Sequence, residues 1–305
     1  MPDSRRNVSF QTVDGVTLKG WFFPAGSEKG PCIIMTHGVL IDTESQITAL
    51  KEHFLDRFAL EFQKAGFNVL LYDNRGFGES GGRRYDADPV KAQDDYIDAF
   101  DYAVSLPEVD AERIIYWGSS YSGGIAITAA AIDRRVKAVV VQVPFVSGEL
   151  LVGTGQPFLD MAQRDRAKIR NGEEWPLTRV VASTIEEAEA GSAPVILRDA
   201  ASFRFFQEAA KQGGSWENKL TTMSLFRLIR FEPIRYIHRI APTPLLMVLG
   251  EKDESLLSLQ LQAFGLAQGT KQLRLLKGCG HFDQYQGDIF QENVAAQIEF
   301  LKKYT

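Results

Sequence analysis

The fold of this chain depends on one stretch, RIIYWGSSYSGGIA at residues 113–126. Residues 114–117 are all β-branched or aromatic, a composition that favours a buried strand. The alanine-rich residues 125–132 favour a helix, and only a Gly/Ser cluster separates the two. A strand that bends straight into a helix needs small residues where the backbones nearly touch, and it exposes the side chain at the bend. The stretch therefore predicts a nucleophile elbow with Ser120 at the bend.

The glycine pattern around Ser120 departs at one position from the G-x-S-x-G that is usual for such an elbow. Gly118 fills the first glycine position, whereas Ser122 stands where the second glycine is expected. Serine is small enough to fit there, so we interpret the stretch as a variant of the pattern. The alternative is a plain strand–turn–helix whose glycines serve only backbone packing, and the remaining chain has to decide between the two.

The composition predicts one large domain, or a domain with an insertion, because 305 residues with 45% hydrophobic content can bury a sizeable core. The net charge of −5, with both signs interspersed, indicates neither a nucleic-acid partner nor an anionic membrane. Cys32 and Cys279 are too far apart in sequence to suggest a disulfide framework. The first residues lack the apolar core of a signal peptide, and no run reaches the ~18 apolar residues of a membrane span. We therefore expect a cytoplasmic protein.

Apolar runs alternate with amphipathic stretches along most of the chain. Asp14-Gly15, between two alternating runs, predicts a β-hairpin. Buried strands are predicted at residues 32–35, 67–72, 113–117, 136–143, 245–249 and 273–276, and helices at about 50–64, 89–106 and 289–304. Most of these strands are apolar on both faces, so the pattern predicts an α/β fold, a mostly parallel central sheet with helices on both faces.

The alternation stops between residues 145 and 240, where the pattern indicates helical pieces but no convincing strand. The simplest interpretation is a helical cap at residues 145–240, inserted into a core formed by residues 1–144 and 241–305. Aromatic residues are frequent in this segment, and they either line an acyl pocket or form the cap's own core. These residues are Phe158, Trp175, Phe203, Phe205, Phe206, Trp216 and Phe226.

A serine hydroxyl becomes an effective nucleophile only when an imidazole takes its proton and a carboxylate orients that imidazole. The chain has four histidines. His53 lies on the solvated face of a predicted helix, His238 lies in an apparent helix near the end of the cap, and His37 directly follows a buried strand. His281 follows two glycines beyond the last predicted strand, where the sites of open α/β sheets gather. His281 is therefore the predicted base.

The acid should follow another strand, and residues 245–249 lead into Gly250-Glu251-Lys252-Asp253-Glu254. We predict that the acid is Asp253, with Glu254 as the near competitor. The order serine, aspartate, histidine along the chain is the order found in hydrolases that have a nucleophile elbow. The alternative role of Asp253 is that of an ordinary turn residue or a helix N-cap.

Two backbone N–H groups must bind the oxyanion that forms when a serine attacks an acyl carbon. Tyr121, directly after Ser120, is predicted to supply one of them from the start of its helix. Val39 is predicted to supply the other, because Gly38 permits the tight turn that this position needs. His37 then supports the turn and is not the base.

Several motifs resemble those of the α/β-hydrolase superfamily, and the resemblance covers nearly the whole chain. His37-Gly38 is similar to the signature of the oxyanion strand, and residues 73–80, DNRGFGES, are similar to the family's D-x-R-G-x-G-x-S turn. Ser120, Asp253 and His281 match the positions of the family's catalytic triad. The resemblance implies an α/β-hydrolase fold that carries the predicted cap as an insertion.

A narrower resemblance concerns residues 118–124, GSSYSGG, and residues 233–244. Both segments resemble a dienelactone-hydrolase-like subgroup that includes fungal polyketide transferases and thiohydrolases. Such enzymes handle acyl chains from carrier proteins, so the resemblance implies a small-molecule or polyketide-like acyl substrate and admits an acyl carrier protein as partner. The oligomeric state stays open, with a homodimer among the alternatives.

One motif indicates a different class of protein. Residues 76–81, GFGESG, have the form G-x-G-x-x-G and follow a predicted strand, as in dinucleotide-binding proteins. A dinucleotide site needs those glycines to lead directly into a helix, whereas residues 82–85 and Pro89 intervene here. No spacing of Cys, His and carboxylate residues suggests a metal site, and Cys279 is expected to serve packing. We therefore predict neither a cofactor nor a metal ion.

The sequence predicts a serine hydrolase that cleaves an ester or thioester through an acyl-enzyme on Ser120. If the cap excludes water and seats an alcohol or amine, the same residues would form an acyltransferase. The remaining alternatives are a non-hydrolytic cyclase and a ligand-binding member of the fold. The set of three matching triad residues argues against the ligand-binding alternative, because a binding protein has no need of them.

Overall fold

The computed structural model describes residues 5–26, 28–38, 54–152, 156–191, 195–211, 217–253 and 256–305. The strands in these ranges are β1 (Arg6–Gln11), β2 (Thr17–Phe23), β3 (Gly30–Thr36), β4 (Asn68–Tyr72), β5 (Val109–Ser119), β6 (Ala138–Gln142), β7 (Leu177–Thr178), β8 (Leu220–Thr221), β9 (Leu245–Gly250) and β10 (Lys271–Leu276). The helices are α1 (Phe54–Lys64), α2 (Pro89–Val104), α3 (Tyr121–Ala130), α4 (Glu149–Val152), α5 (Gln156–Arg170), α6 (Ile185–Ala190), α7 (Ala200–Lys211), α8 (Thr222–Leu228), α9 (Leu257–Leu266) and α10 (Gly287–Tyr304). Short 3-10 helices lie at Pro233–Arg235, Ile237–Ile240 and Asp283–Tyr285.

One sheet forms the centre of the molecule. Within the described residues its eight strands follow the order β1-β2-β4-β3-β5-β6-β9-β10. Strand β2 is antiparallel to its neighbours β1 and β4, and every other neighbouring pair is parallel. All residues of β4, β6 and β9 are buried, as expected when both faces of a sheet are covered. The predicted mostly parallel sheet of the α/β class is confirmed.

Two neighbouring aromatic residues of β5 show how the helices cover the sheet. Successive side chains of a strand point to opposite faces. Trp117 meets Phe58 of α1 with ring centroids 5.4 Å apart, and Phe58 in turn meets Phe290 of α10 at 4.8 Å. Tyr116 meets Tyr96 of α2 at 5.1 Å. Helices α1 and α10 therefore lie on one face of the sheet and α2 lies on the other. The predicted start of α1, near residue 50, lies outside the described residues.

The segment between β6 and β9 contains helices α4 to α8 and two short strands. Strands β7 and β8 pair antiparallel through two residues each, and Val181 forms an isolated bridge with Leu197. The expectation that this segment holds no strand is therefore wrong in this detail, because two residues are too few to show an alternation in the sequence. The division of the chain into a core and a cap at residues 145–240 stays a prediction.

A loop at residues 73–88, between β4 and α2, holds this helical segment in place. Asp86 accepts a hydrogen bond from Thr221 Oγ1 at 2.6 Å and forms an ion pair with Arg227 at 2.7 Å. The indole of Trp175 lies beside the guanidinium groups of Arg83 and Arg227, which are 4.0 and 5.6 Å from its ring centroid. Because this loop leaves the carboxyl end of β4, the helical segment is fastened beside the edge of the sheet where the parallel strands end.

Candidate active site

Ser120 alone forms the bend between β5, which ends at Ser119, and α3, which begins at Tyr121. Its backbone has φ 56° and ψ −118°, a conformation that costs a residue with a side chain about 1–3 kcal/mol. Hydrogen bonds offset this cost, because Ser120 donates its N–H to the carbonyl of Gln142 at 3.0 Å and accepts the N–H of Phe145 at 2.7 Å. The sharp bend that the sequence predicts at Ser120 is present in the structure.

Glycines allow the chain to approach itself closely around this bend. A Cβ added to Gly118 would lie 2.2 Å from the carbonyl oxygen of Ser122. A Cβ added to Gly124 would lie 2.3 Å from the carbonyl oxygen of Phe145. Side chains do not fit at such distances, so these two glycines permit the elbow through direct backbone contact.

Ser122, at the second glycine position of the pattern, makes hydrogen bonds that glycine could not make. Its buried hydroxyl accepts the N–H of Ser119 at 2.9 Å and donates to the carbonyl of Thr36, at the end of β3, at 2.8 Å. The hydroxyl therefore ties the residue before the bend to the neighbouring strand. The sequence indicated only that serine fits here, because Thr36 lies 86 residues away and no local pattern signals the contact.

The structure brings together the three side chains that the sequence predicts to act together. Asp253 follows β9 and His281 follows β10, and the parallel strands bring both loops to the edge of the sheet where β5 ends. Nδ1 of His281 lies 2.7 Å from Oδ2 of Asp253, and Nε2 of His281 lies 3.2 Å from Oγ of Ser120. A carboxylate only accepts, so Nδ1 donates to Asp253 and Nε2 is left to accept the serine proton. This arrangement can draw a proton from the Ser120 hydroxyl.

The alternative role of Asp253, as the N-cap of a helix, is not the one seen. The N-cap of α9 is Leu256, whose side chain makes no capping hydrogen bond. The carboxylate of Asp253 is buried, at 4% exposure, and contacts His281 instead. Glu254, the competing acid, lies outside the described residues.

Backbone contacts hold the loops of the predicted acid and base together. Lys252 donates its N–H to the carbonyl of Cys279 at 2.8 Å, and a Cβ added to Gly250 would lie 2.6 Å from the same oxygen. Gly280 donates its N–H to the carboxylate of Asp283 at 2.8 Å. Burial raises the pKa of the Cys279 thiol to about 12, so the thiol stays protonated, which fits a packing residue.

His37 also follows a parallel strand, β3, but its ring is enclosed by hydrogen bonds. Asn74 donates its backbone N–H to Nε2 of His37 at 3.1 Å, so Nε2 carries no proton. Nδ1 therefore carries the proton and donates it to the carbonyl of Gly38 at 2.7 Å. The ring is fully buried, its two nitrogens contact Asn74 and Gly38, and the carboxylate of Asp73 lies 3.8 Å from Nε2.

The two predicted oxyanion donors can be placed only in part. Tyr121 is the first residue of α3, and the N–H groups in the first turn of a helix have no partner within that helix. Gly38 lies against the bend, because a Cβ added to it would be 3.6 Å from the Cβ of Ser120. Val39, the other predicted donor, lies outside the described residues.

The aromatic residues of the helical segment have different surroundings. Phe205 of α7 stacks on Phe282 with ring centroids 4.3 Å apart, and Phe282 meets the ring of His281 edge-on at 4.9 Å. Phe203 packs instead on a separate small cluster of buried residues within the segment. Phe205 is thus a buried core residue close to the predicted base, whereas Phe203 packs within the helical segment, and an acyl pocket lined by these aromatics stays a prediction. The side chains of Phe158 and Trp216 lie outside the described residues.

The glycine-rich residues 76–81 form a loop that does not open into a helix. Gly76 and Gly78 have φ angles of 80° and 51°, and α2 begins only at Pro89, where the side chain of Asp88 caps it. A pyrophosphate site needs a helix N-terminus directly behind the glycines, so this loop does not fit a dinucleotide. In the described ranges, no group of three or more His, Cys, Asp or Glu residues could hold a metal ion, and no helix is long and apolar enough to cross a membrane.

The sheet order, the bend at Ser120 and the row of hydroxyl, imidazole and carboxylate define the class of protein as an α/β hydrolase. A profile of the alpha/beta hydrolase family matches residues 33–291, and the chain belongs to this family. The predicted α/β-hydrolase fold is confirmed by this match and by the solved structures that the chain resembles.

Relatives of known name confirm the narrower resemblance. The chain is 33% identical over 302 residues to a polyketide transferase of Penicillium sp. These aligned residues make up 98% of this chain and 97% of that protein. It is 32% identical to a thiohydrolase of Eupenicillium brefeldianum, over 98% of this chain and 94% of that protein. The crystal structure of an alpha/beta hydrolase from Penicillium sp. sh18 superposes with a TM-score of 0.85 at 31% identity, over 98% of both chains.

Proposed function

We propose that the protein is a serine hydrolase that cleaves an ester or thioester of a small-molecule or polyketide-like acyl substrate through an acyl-enzyme on Ser120. One observation carries the proposal. His281 has one ring nitrogen 3.2 Å from Oγ of Ser120 and the other 2.7 Å from the carboxylate of Asp253. The names of two relatives, a thiohydrolase and a polyketide transferase, support acyl chemistry at this site.

In the first half of the proposed reaction, Nε2 of His281 takes the hydroxyl proton of Ser120 while Oγ attacks the acyl carbon. The carboxylate of Asp253 stabilises the imidazolium that forms and keeps the ring in the required orientation. The backbone N–H groups of Tyr121 and Val39 bind the negative charge that develops on the acyl oxygen. When the tetrahedral intermediate collapses, His281 passes its proton to the leaving alkoxide or thiolate, and the acyl group stays on Ser120.

In the second half, the acyl group leaves Ser120 by the reverse sequence of proton transfers. His281 takes a proton from an incoming water molecule, whose oxygen attacks the acyl carbon. The intermediate then expels Oγ of Ser120, which recovers its proton from His281. The products are the free acid and the unmodified enzyme.

Acyl transfer is the second candidate, and one observation favours it. The relative with 33% identity is named a polyketide transferase. An alcohol or amine would then replace water as the acceptor, and the acyl-enzyme on Ser120 would form in the same way. For either reaction of a thioester, we propose an acyl carrier protein as the partner that delivers the acyl group.

A panel of acyl p-nitrophenyl esters and acyl N-acetylcysteamine thioesters tests the proposed function. Each substrate is incubated with and without added alcohols and amines, and the products are identified by mass spectrometry. Free acid as the sole product supports hydrolysis, whereas a new ester or amide supports transfer. Ser120→Ala is the control, and turnover that survives in this variant contradicts the serine mechanism.

A further inference from the structure

A second hydrogen bond joins the segment that carries Ser120 to the segment that carries His281. It connects the hydroxyl of Ser119 with the phenol of Tyr285. Both residues are buried, with Ser119 1% and Tyr285 3% exposed. Ser119 directly precedes Ser120, and Tyr285 lies four residues after His281, in the 3-10 helix Asp283–Tyr285. The bond therefore spans the same two segments as the contact between Ser120 and His281.

Tyr285 is itself held by the core. Its ring meets Phe58 of α1 edge-on, with centroids 6.3 Å apart, and lies 5.8 Å from the ring of Phe205. Its backbone carbonyl accepts a hydrogen bond from Nη1 of Arg57, also in α1, at 3.2 Å. Burial raises the pKa of the Tyr285 phenol, so the phenol keeps its proton over the working pH range of an enzyme. Tyr285 is thus a fixed point at one end of the segment that carries His281.

His281 has no regular secondary structure around it to fix its position. It lies between β10, which ends at Leu276, and the 3-10 helix that ends at Tyr285. The intervening stretch contains Gly278, whose φ is 68°, and Gly280. The contacts of Cys279 and Gly280 hold the first part of this stretch, and Tyr285 holds its far end. The distance between Nε2 of His281 and Oγ of Ser120 depends on both, and a displacement of about 1 Å can cost a reaction about 100-fold in rate.

We infer that Tyr285 and Ser119 are positioning residues, whose hydrogen-bonded hydroxyls set the distance between Nε2 of His281 and Oγ of Ser120. This role rests on the proposed function of Ser120 and His281. Loss of either hydroxyl removes the tie between the two segments but leaves the imidazole, its carboxylate and the nucleophile in place. The proton transfers should then slow, whereas substrate binding should change little.

Two single variants and their combination test this role. Tyr285→Phe removes only the phenol oxygen, and Ser119→Ala removes only its partner. Each variant is expected to lower kcat about tenfold on an alkyl acyl ester, with KM changed by less than about twofold. The double variant is expected to lose no more than either single variant, because all three lack the same hydrogen bond.

The leaving group provides a readout that a purely structural role would not move. An alkoxide needs a proton from His281 in order to leave, whereas p-nitrophenolate leaves without one. The loss in kcat/KM is therefore expected to be smaller on the p-nitrophenyl ester of the same acyl group than on the alkyl ester. Equal losses on both esters would overturn the positioning role.

Tyr96→Phe is the matched control for the loss of a buried phenol. Tyr96 is fully buried, and its phenol donates to the carbonyl of Trp117 in β5 at 2.7 Å. This variant is expected to lower the melting temperature while kcat stays unchanged. If Tyr285→Phe and Tyr96→Phe lose activity equally, lowered stability explains both and the positioning role is overturned.

Ser120→Ala, measured alongside, separates the two ways in which the inference could fail. Turnover that survives in Ser120→Ala overturns the proposed function and the positioning role with it. The positioning role alone is overturned if Ser120→Ala is inactive while Tyr285→Phe and Ser119→Ala both keep the wild-type kcat on both esters. Melting curves of all the variants show whether each is folded under the assay conditions.

Discussion

Two histidines follow parallel strands of the same sheet, and their hydrogen-bond partners distinguish them. His37 binds backbone groups through both ring nitrogens, accepting from Asn74 and donating to Gly38. His281 lies between a carboxylate, that of Asp253, and a hydroxyl, that of Ser120. The carboxylate of Asp73 lies 3.8 Å from Nε2 of His37, beyond hydrogen-bond distance. Backbone amide groups do not exchange protons in a reaction, so the hydrogen bonds of His37 only hold its ring in place, whereas a ring between a carboxylate and a hydroxyl can move a proton. Residue type and position at a strand end therefore do not decide the role of a histidine, and its partners do.

The largest expected difference between the two histidines is in turnover. His281→Ala is expected to lower kcat/KM on an acyl ester at least about 10³-fold, because the base is removed. His37→Ala is expected instead to lower the free energy of unfolding by about 2–4 kcal/mol, because the buried N–H of Asn74 loses its acceptor and a cavity forms. Steady-state kinetics and urea unfolding of both variants check this. If His37→Ala is stable but loses as much turnover as His281→Ala, the two histidines do not differ in role and the comparison is contradicted.

The carboxylate side of His281 is tested by Asp253→Asn. An amide can donate to Nδ1, which would place the ring proton on Nε2 and leave no acceptor for the Ser120 proton. We expect kcat to fall about 10³–10⁴-fold in this variant. The control is Glu254→Gln, which is expected to keep the wild-type kcat in the same assay. If Glu254→Gln is the damaging change and Asp253→Asn is not, then the acid is misassigned.

The strand end that carries His37 is joined to the bend at Ser120 through Ser122. Ser122→Ala leaves the buried N–H of Ser119 and the buried carbonyl of Thr36 without this partner, so we expect the free energy of unfolding to fall by about 1–3 kcal/mol. Ser122→Gly restores the common glycine pattern and is expected to be no more stable than Ser122→Ala. Urea unfolding measures both, and a wild-type free energy of unfolding in Ser122→Ala would show that the hydroxyl contributes nothing.

The smallest expected effect concerns the aromatic surroundings of His281. Phe205 stacks on Phe282, which contacts the ring of His281, whereas Phe203 packs on a cluster of its own. We expect Phe205→Leu to change the ratio of kcat/KM between long and short acyl esters about threefold, and Phe203→Leu to leave it unchanged. The ratio is measured on a homologous series of p-nitrophenyl esters. An unchanged ratio in both variants would give Phe205 a purely structural role.

The sequence was sufficient to predict the parallel sheet and the meeting of Ser120, Asp253 and His281. Each of the three follows an apolar run that is visible in the sequence, and the carboxyl ends of parallel strands share one edge of the sheet. The order of the strands was not needed for that prediction. The strands β7 and β8 were missed because a strand of two residues has no pattern of its own.

The contacts that support the site could not be predicted from the sequence. Ser122 reaches Thr36 across 86 residues, and Ser119 reaches Tyr285 across 166 residues. Such hydrogen bonds depend on how closely folded segments approach one another, and hydrophobic periodicity carries no information about that distance. For the same reason, the hydrogen bond from the N–H of Asn74 to Nε2 of His37 became visible only in the structure.

Reaction with a fluorophosphonate probe, followed by peptide mass spectrometry, tests most directly whether the imidazole at the end of β10 activates the hydroxyl at the bend. We predict one adduct, on the peptide that contains Ser120. The adduct should be absent from Ser120→Ala and form far more slowly in His281→Ala, with both variants folded by circular dichroism. Undiminished labelling of folded Ser120→Ala would contradict the proposed mechanism.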